Sequence, residues 1–378
     1  MTMLPHFRLE TYLSKWEFSA RYHMTASDME TLTLNELLEM AGPADRDSFQ
    51  NMPLCYIETF GTPALRAAVA STYETLQAVD VLCFAGAEEG IFAAMHAILE
   101  KDDHALIVTP NYQSAETLPM TICKTDGIPL DESNAWALDV DAVKRMITPK
   151  TKLIYVNFPH NPTGKVMDRG QFNALIALCR QHGIYLLSDE VYRGLERDPG
   201  IQLPQAADAY ERGLSLNVMS KAYGLPGLRI GWIACRDHAL LSRMERIKHY
   251  LSICNAGPSE HLAIIALKAR DRILRRNHDL IAENLRAMNT FFDEFSDLFD
   301  WSVPDGGCIA FPRYKGRDGV EVFCRRLAEE DGIVLLPASI YESALSKTPA
   351  DRFRIGFGRR HTIEGLSAMR AHLMRNRP

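Results

Sequence analysis

Lys221 stands in the string NVMSKAYGLPGLRIGW, after an apolar stretch of strand character and before a turn rich in glycine and proline, with Arg229 eight residues further on. A lysine at the end of a sheet strand reaches into the crevice where α/β proteins bind ligands, and an amine held there can form a Schiff base with a carbonyl compound. Taken singly such a lysine is an ordinary surface residue, so its companions carry the argument. In LLSDEVYRGL, Asp189 ends another strand candidate and Tyr192 follows by three. A carboxylate in that position holds a neighbouring positive charge, although a strand-to-helix aspartate also serves as a helix cap. Asn161 lies in NFPHNPTGKV, where Asn-Pro-x-Gly is strong turn chemistry in its own right. FAGAEEGIF leads from a strand through Gly86, Ala87 and Glu88 into a helix. The free N–H groups and positive dipole end of such a turn attract an anion, and a plain helix start reads the same way. RFRIGFGRR offers four arginines. Arg352 and Arg354 share one face of a strand and spacing does not separate them; Arg352, Arg359 and Arg360 are taken as solvated.

These residues need a sheet to carry them. Strand candidates begin at His104 (HALIVTP), Lys152 (KLIYVNF), Gly183 (GIYLLSD), Leu214 (LSLNVMS) and Ile230 (IGWIA), with amphipathic stretches between them. That alternation is the pattern of βαβ units in a parallel sheet. In GQFNALIALCRQHG, Phe172, Leu175, Ile176 and Cys179 fall on one helical face. After Arg270 a long charged and apolar helix precedes three short strand candidates, CIAFPRY, GIVLLPA and RFRIGFG. The fold expected is therefore α/β, with a mostly parallel sheet sandwiched by helices in a large domain over 46–270. A smaller α+β domain follows over 271–378, and the segment 1–45 packs with it.

Composition agrees with a globular chain that binds small molecules. The 378 residues are 47% hydrophobic and 24% charged, and the net charge of −6 is spread along the chain, with no basic patch for nucleic acid. No apolar run approaches the ~20 residues that span a bilayer. The N-terminus lacks the features of a secretion signal, and the eight scattered cysteines show no metal-binding spacing. A cytoplasmic protein with reduced, mostly buried thiols and no metal is expected.

The segment Ser-Lys-x-Tyr-Gly-Leu-Pro-Gly-Leu-Arg-Ile-Gly-Trp resembles the cofactor-lysine segment of class I/II aminotransferases, enzymes of fold type I that use pyridoxal 5′-phosphate. The resemblance implies that Lys221 holds this cofactor as an imine and acts as the base, with Ser220 beside it and Arg229 on the phosphate. It implies further that Gly86, Ala87 and Glu88 form the phosphate loop, that Asp189 pairs with the pyridine nitrogen, and that Tyr192 and Asn161 contact the ring oxygen. Tyr112 in TPNYQS takes the place of the aromatic ring against the cofactor face. Arg354, with Asn161, takes that of the substrate carboxylate clamp. Tyr56 in CYIETFGTPALR is similar to the tyrosine that reaches the partner subunit's phosphate, which implies a homodimer with shared sites. One departure is Val218, where many members have a serine on the phosphate.

The motifs run in the family's order from Tyr56 to Arg354. Before them, LETYLSKWEFSARYHMTASDMETLTL replaces the usual glycine-containing stretch. Its Leu-Glu start and Thr-Ala-Ser-Asp run, with Pro-Ser-Glu at 258–260, resemble a subset that includes capreomycidine synthase and enduracididine-forming cyclases, which act on hydroxylated arginines. On that likeness Glu10, Thr25 and Asp28, with Glu17, serve the substrate. Alternatively Glu10 and Glu17 lie on the polar face of an N-terminal helix. The reaction expected is transamination of an L-α-amino acid. The alternative is β/γ-elimination or cyclisation of a hydroxylated arginine-like amino acid. A non-catalytic pyridoxal phosphate sensor stands behind both, since the chain has no DNA-binding module.

Overall fold

The computed structural model describes residues 4–376. Its first strand, β1 (Tyr22–His23), lies outside the main sheet, which is built from β2 (Val81–Phe84), β3 (His104–Thr109), β4 (Lys124–Pro129), β5 (Thr151–Asn157), β6 (Tyr185–Asp189), β7 (Gly213–Val218) and β8 (Gly231–Ala234). Their order across the sheet is β2-β8-β7-β6-β5-β3-β4. The strands from β7 to β4 run parallel, whereas β8 pairs antiparallel with both β2 and β7. The stretch from Ile230 is thus a strand, but one that returns against its neighbours. The twelve residues 219–230 that join β7 to β8 hold only the short turn Pro226–Leu228, with no crossover helix to carry the chain over a face of the sheet for a parallel return.

Helices cover both faces of the sheet, so β2, β3, β7 and β8 are buried at every position, and their sequences are nearly unbroken apolar runs. Edge strand β4 is more open, with Lys124 exposed and Asp126 half-buried. The helix Arg169–His182 buries Phe172, Leu175, Ile176 and Cys179. It begins at Asp168, whose carboxylate accepts the N–H groups of Gly170 at 2.8 Å and Gln171 at 3.1 Å. It ends on Gly183 at φ +65°, a left-handed residue that closes helices at least cost as glycine.

After the 25-residue helix Arg270–Glu294 come short strands: β9 (Phe299–Asp300), β10 (Ile309–Ala310), β11 (Arg313–Tyr314), β12 (Ile333–Val334), β13 (Leu336–Pro337) and β14 (Phe353–Gly356). β14 lies between β10 and β13. β1 pairs in parallel with β12, Tyr22 opposite Ile333, so the N-terminal segment is hydrogen-bonded to the last third of the chain. Five cysteines are buried, Cys123 and Cys254 are intermediate and Cys55 is exposed; all are free.

Candidate active site

The chain's connections turn one way after β3 and the other way after β5, which opens a crevice at the carboxyl ends of the strands. Tyr112 follows β3, Asn161 follows β5, Asp189 is the last residue of β6 and Lys221 comes three residues after β7. Their side chains line one cavity of about 560 Å³, together with Glu10, Thr25, Asp28, Ala87, Glu88, Tyr192, Ser220, Arg229 and Arg354. Tyr56 lies outside it and is 87% exposed.

Asp189 is held on three sides. Its Oδ2 accepts the Tyr155 hydroxyl at 2.8 Å, its Oδ1 accepts Val191 N–H at 3.2 Å, and its carbonyl accepts the Asn157 amide at 2.9 Å. Register explains the set, because β5 and β6 align Asn157 with Asp189 and put Tyr155 two residues back on the same face. Burial pushes the carboxyl up to about 6, against the pull of Tyr155, Val191 and Lys221. Lys221 is pushed down from the usual lysine range, first by burial; Asp28 and Asp189 oppose the shift and Arg354 adds to it. Its amine donates to Ser27 Oγ at 2.8 Å.

Arg354 is 1% exposed, which distinguishes it from Arg352. Arg352 is not solvated either: it pairs with Glu132 (Nε to Oε1 2.8 Å) and donates to the Phe311 carbonyl. One Arg354 nitrogen donates to Asn161 Oδ1 at 3.1 Å and to the Tyr341 hydroxyl, which itself donates to Asn161 Oδ1. The other terminal nitrogen donates to the Thr25 carbonyl at 2.8 Å, and Nε is buried with no partner among the described residues. Arg354 lines the cavity, where a guanidinium suits a carboxylate.

At the opposite end, the helix Ala87–Ile98 starts on Gly86 at φ +99° with no side-chain cap. The guanidinium of Arg229 lies over Gly86, since a Cβ there would stand 2.4 Å from an Arg229 terminal nitrogen. Uncapped helix N–H groups, an arginine and the Ser220 hydroxyl suit a phosphate dianion. With a carboxylate for a ring nitrogen, an amine for an aldehyde and the Tyr112 ring on the same cavity wall, the residues present fit pyridoxal phosphate.

Four further expectations change. The Tyr192 hydroxyl is not free in the cavity, since it donates to the Ser27 carbonyl at 2.9 Å. Arg359 is not solvated: it lines the cavity and pairs with Asp28 at 2.7 Å, so Asp28 meets a cation of the protein's own. Glu88 contributes more than backbone, because its carboxylate accepts Ser114 Oγ at 2.8 Å and burial pushes it up to about 7. Thr25 contacts Arg354 through its carbonyl, while its hydroxyl lies 3.4 Å from the His23 ring.

Glu10 combines the helix position with a place on the cavity wall. It is an exposed residue of the helix Arg8–Trp16, and its carboxylate also faces the cavity and accepts the Tyr112 hydroxyl at 2.9 Å. Glu17 lines the same wall, pushed up from the usual carboxylate range by burial and by Glu10 and Asp28. Ser27, Tyr155, Tyr341 and Arg359 were missed from sequence. Only Tyr155 left a signal, two residues before Asn157 on a strand that ends beside Asp189. Elsewhere, Glu330, Asp331 and His372 cluster, but Arg326 and Arg375 already pair with the two carboxylates.

The pattern of the aminotransferase class I and II family matches residues 24–369. Capreomycidine synthase of Streptomyces vinaceus is 30% identical to this chain, over 98% of this chain and 94% of that protein. A crystal structure of a PLP-dependent aminotransferase from Streptococcus suis 89-1591 superposes with a TM-score of 0.92 at 30% identity, covering 99% of each chain. The PLP-dependent cyclase OrfR shares the fold, with a TM-score of 0.88 at 23% identity over 99% of this chain and 100% of the other.

Proposed function

The chain belongs to the aminotransferase class I and II family and is a pyridoxal phosphate enzyme, and from that premise we propose that it transaminates an L-α-amino acid in the cavity around Lys221. The observation that carries the reading is convergence: amine, carboxylate and guanidinium, from Lys221, Asp189 and Arg354, line one cavity. When bound, pyridoxal phosphate supplies an electron-withdrawing ring that accepts the charge left when a substrate α-carbon loses its proton. Arg229, Ser220 and the N–H groups from Gly86 to Glu88 hold the phosphate. Asp189 keeps a positive charge on the ring nitrogen, and Tyr155 keeps Asp189 ionised by donating to it. Asn161 would meet the ring oxygen and Tyr112 the ring face, while the Tyr192 hydroxyl is held by the Ser27 carbonyl. Arg354 grips the α-carboxylate, with charged hydrogen bonds worth about 1.5–3 kcal/mol each, so that the α C–H bond faces Lys221. Lys221, whose amine is biased toward neutrality by burial, anchors the cofactor and moves that proton.

A second reading is elimination or cyclisation of a hydroxylated arginine-like amino acid. Glu10 and Glu17 on the cavity wall favour it, because carboxylates there attract a cationic side chain. Purified enzyme is mixed with single amino acids, arginine and its hydroxylated forms among them, without any keto acid. Keto acid formed once per site supports transamination. Repeated turnover without an acceptor supports the second reading, and no reaction in cofactor-loaded protein with any amino acid refutes both.

We also propose a homodimer with shared sites. Tyr56, Leu54 and Tyr250, exposed by 87%, 85% and 92%, would be covered by a second copy, and Tyr56 would reach the partner's phosphate. A division into 1–45, 46–270 and 271–378 and a cytoplasmic location complete the proposal; the unbonded thiols support the latter.

A further inference from the structure

Residues 24–30 lie pressed against the end of the strand that carries Arg354. A Cβ on Gly356 would meet the Ala26 carbonyl oxygen at 2.0 Å, and one on Gly358 would meet that of Asp28 at 2.5 Å, so only glycine admits this approach. Gly356 N–H donates to the Met24 carbonyl and Glu30 N–H to the Gly358 carbonyl, each at 2.7 Å. The chain is therefore pinned on both sides of Ser27. Met29 N–H ties it also to the Lys221 carbonyl at 3.3 Å. Between these anchors, Ser27 Oγ accepts from the Lys221 amine at 2.8 Å while the Ser27 carbonyl accepts the Tyr192 hydroxyl at 2.9 Å. One residue, 194 positions away in sequence, holds the amine.

We propose that Ser27 is a positioning residue for Lys221: its hydroxyl, fixed by the pinned backbone, accepts one N–H of the amine and so aims the nitrogen lone pair into the cavity. The proposal rests on the reading of Lys221 as the amine that moves the substrate proton. A neutral amine has two N–H bonds and one lone pair, and its terminal torsion has three staggered wells. Anchoring one N–H removes most of that freedom, and misdirected reacting groups cost up to about 10²-fold in rate. The other groups facing the amine are Asp28 and Glu17 from the N-terminal segment, Asp189 at the end of β6, Arg354 on β14 and Cys308 before β10. All of them stay when only the Ser27 hydroxyl is removed.

The test uses Ser27→Ala and Ser27→Thr. In cofactor-free protein, acetylation of Lys221 is followed by mass spectrometry against pH, with exposed Lys152 as internal reference. An acceptor hydroxyl favours the charged amine, so Ser27→Ala is expected to move the Lys221 midpoint downward and Ser27→Thr to restore it. In loaded enzyme, Ser27→Ala is expected to lower kcat about tenfold with KM within twofold. An unmoved midpoint, or a loss confined to KM, overturns the proposal. If Ser27→Ala does not fold, Ser27→Cys, whose sulfur is a weak acceptor, is read in the same way. Lys221→Ala separates the two layers: turnover in that variant sinks the reading of Lys221 itself. A dead Lys221→Ala beside an unaltered Ser27→Ala sinks only the role of Ser27.

Discussion

Gly86→Ala probes the phosphate end of the site with a single methyl group. The new Cβ would lie 2.4 Å from one Arg229 nitrogen and 3.1 Å from its central carbon. Ordinary contact begins near 3.4 Å, so the guanidinium must retreat by about 1 Å. A hydrogen bond of about 2.9 Å stretched by that much is no longer one. The loss is one charged bond, about 1.5–3 kcal/mol, which corresponds to a Kd for pyridoxal phosphate roughly 10- to 150-fold weaker. The same alanine sits at φ +99°, a backbone strain of about 1–3 kcal/mol that lowers the melting temperature of free and loaded protein alike and cancels in Kd. The assay is a titration of cofactor-free protein with pyridoxal phosphate, followed by tryptophan fluorescence at fixed salt. Arg229→Ala provides the internal control: if the methyl acts only through the guanidinium, adding Gly86→Ala to it weakens binding less than twofold further. A Kd for Gly86→Ala within twofold of wild type, or losses that simply add in the double variant, would refute the reasoning that the methyl acts by displacing Arg229 from the phosphate.

Asp189→Asn should change how the stability of cofactor-free protein depends on pH. The carboxyl is raised from 3.8 to about 6 by burial, so the folded state holds this proton more tightly than the unfolded one. The stability it contributes is present below about pH 4 and is lost as the pH rises through about 6. At ~1.4 kcal/mol per pH unit this amounts to about 3 kcal/mol. Denaturant unfolding at pH 4 and pH 8 should therefore show Asp189→Asn gaining on wild type by roughly that amount, and a difference independent of pH contradicts the assignment. For the shared site, Lys221→Ala and Tyr56→Ala proteins, each inactive or impaired alone, should recover activity when their subunits are exchanged. Such a mixed dimer has one site with both residues intact, so failure to recover after verified exchange excludes sharing through Tyr56.

What could be read from the sequence is what the chain places within a few residues along one strand and its following turn. Lys221 with Arg229, Asp189 with Tyr192, and Gly86 to Glu88 are local strings, each needing only a strand to end at the right edge of a parallel sheet. The alternation of strands and helices supplied that sheet, apart from β8, which returns antiparallel because no helix joins it to β7. The contacts that complete the site join distant parts of the chain. Ser27 meets Lys221, Thr25 meets Arg354 across 329 residues, Tyr341 meets Asn161 across 180, and Asp28 takes Arg359 out of solvent. No periodicity encodes such pairs, because they arise only when β1 docks on β12 and residues 24–30 press against Gly356 and Gly358. Sequence alone determined which chemistry the chain can carry, since that depends on residue types at short spacing. Tertiary structure alone decided how the lysine, the tyrosine and the arginine are held, because their partners come from a segment that reaches them only through packing.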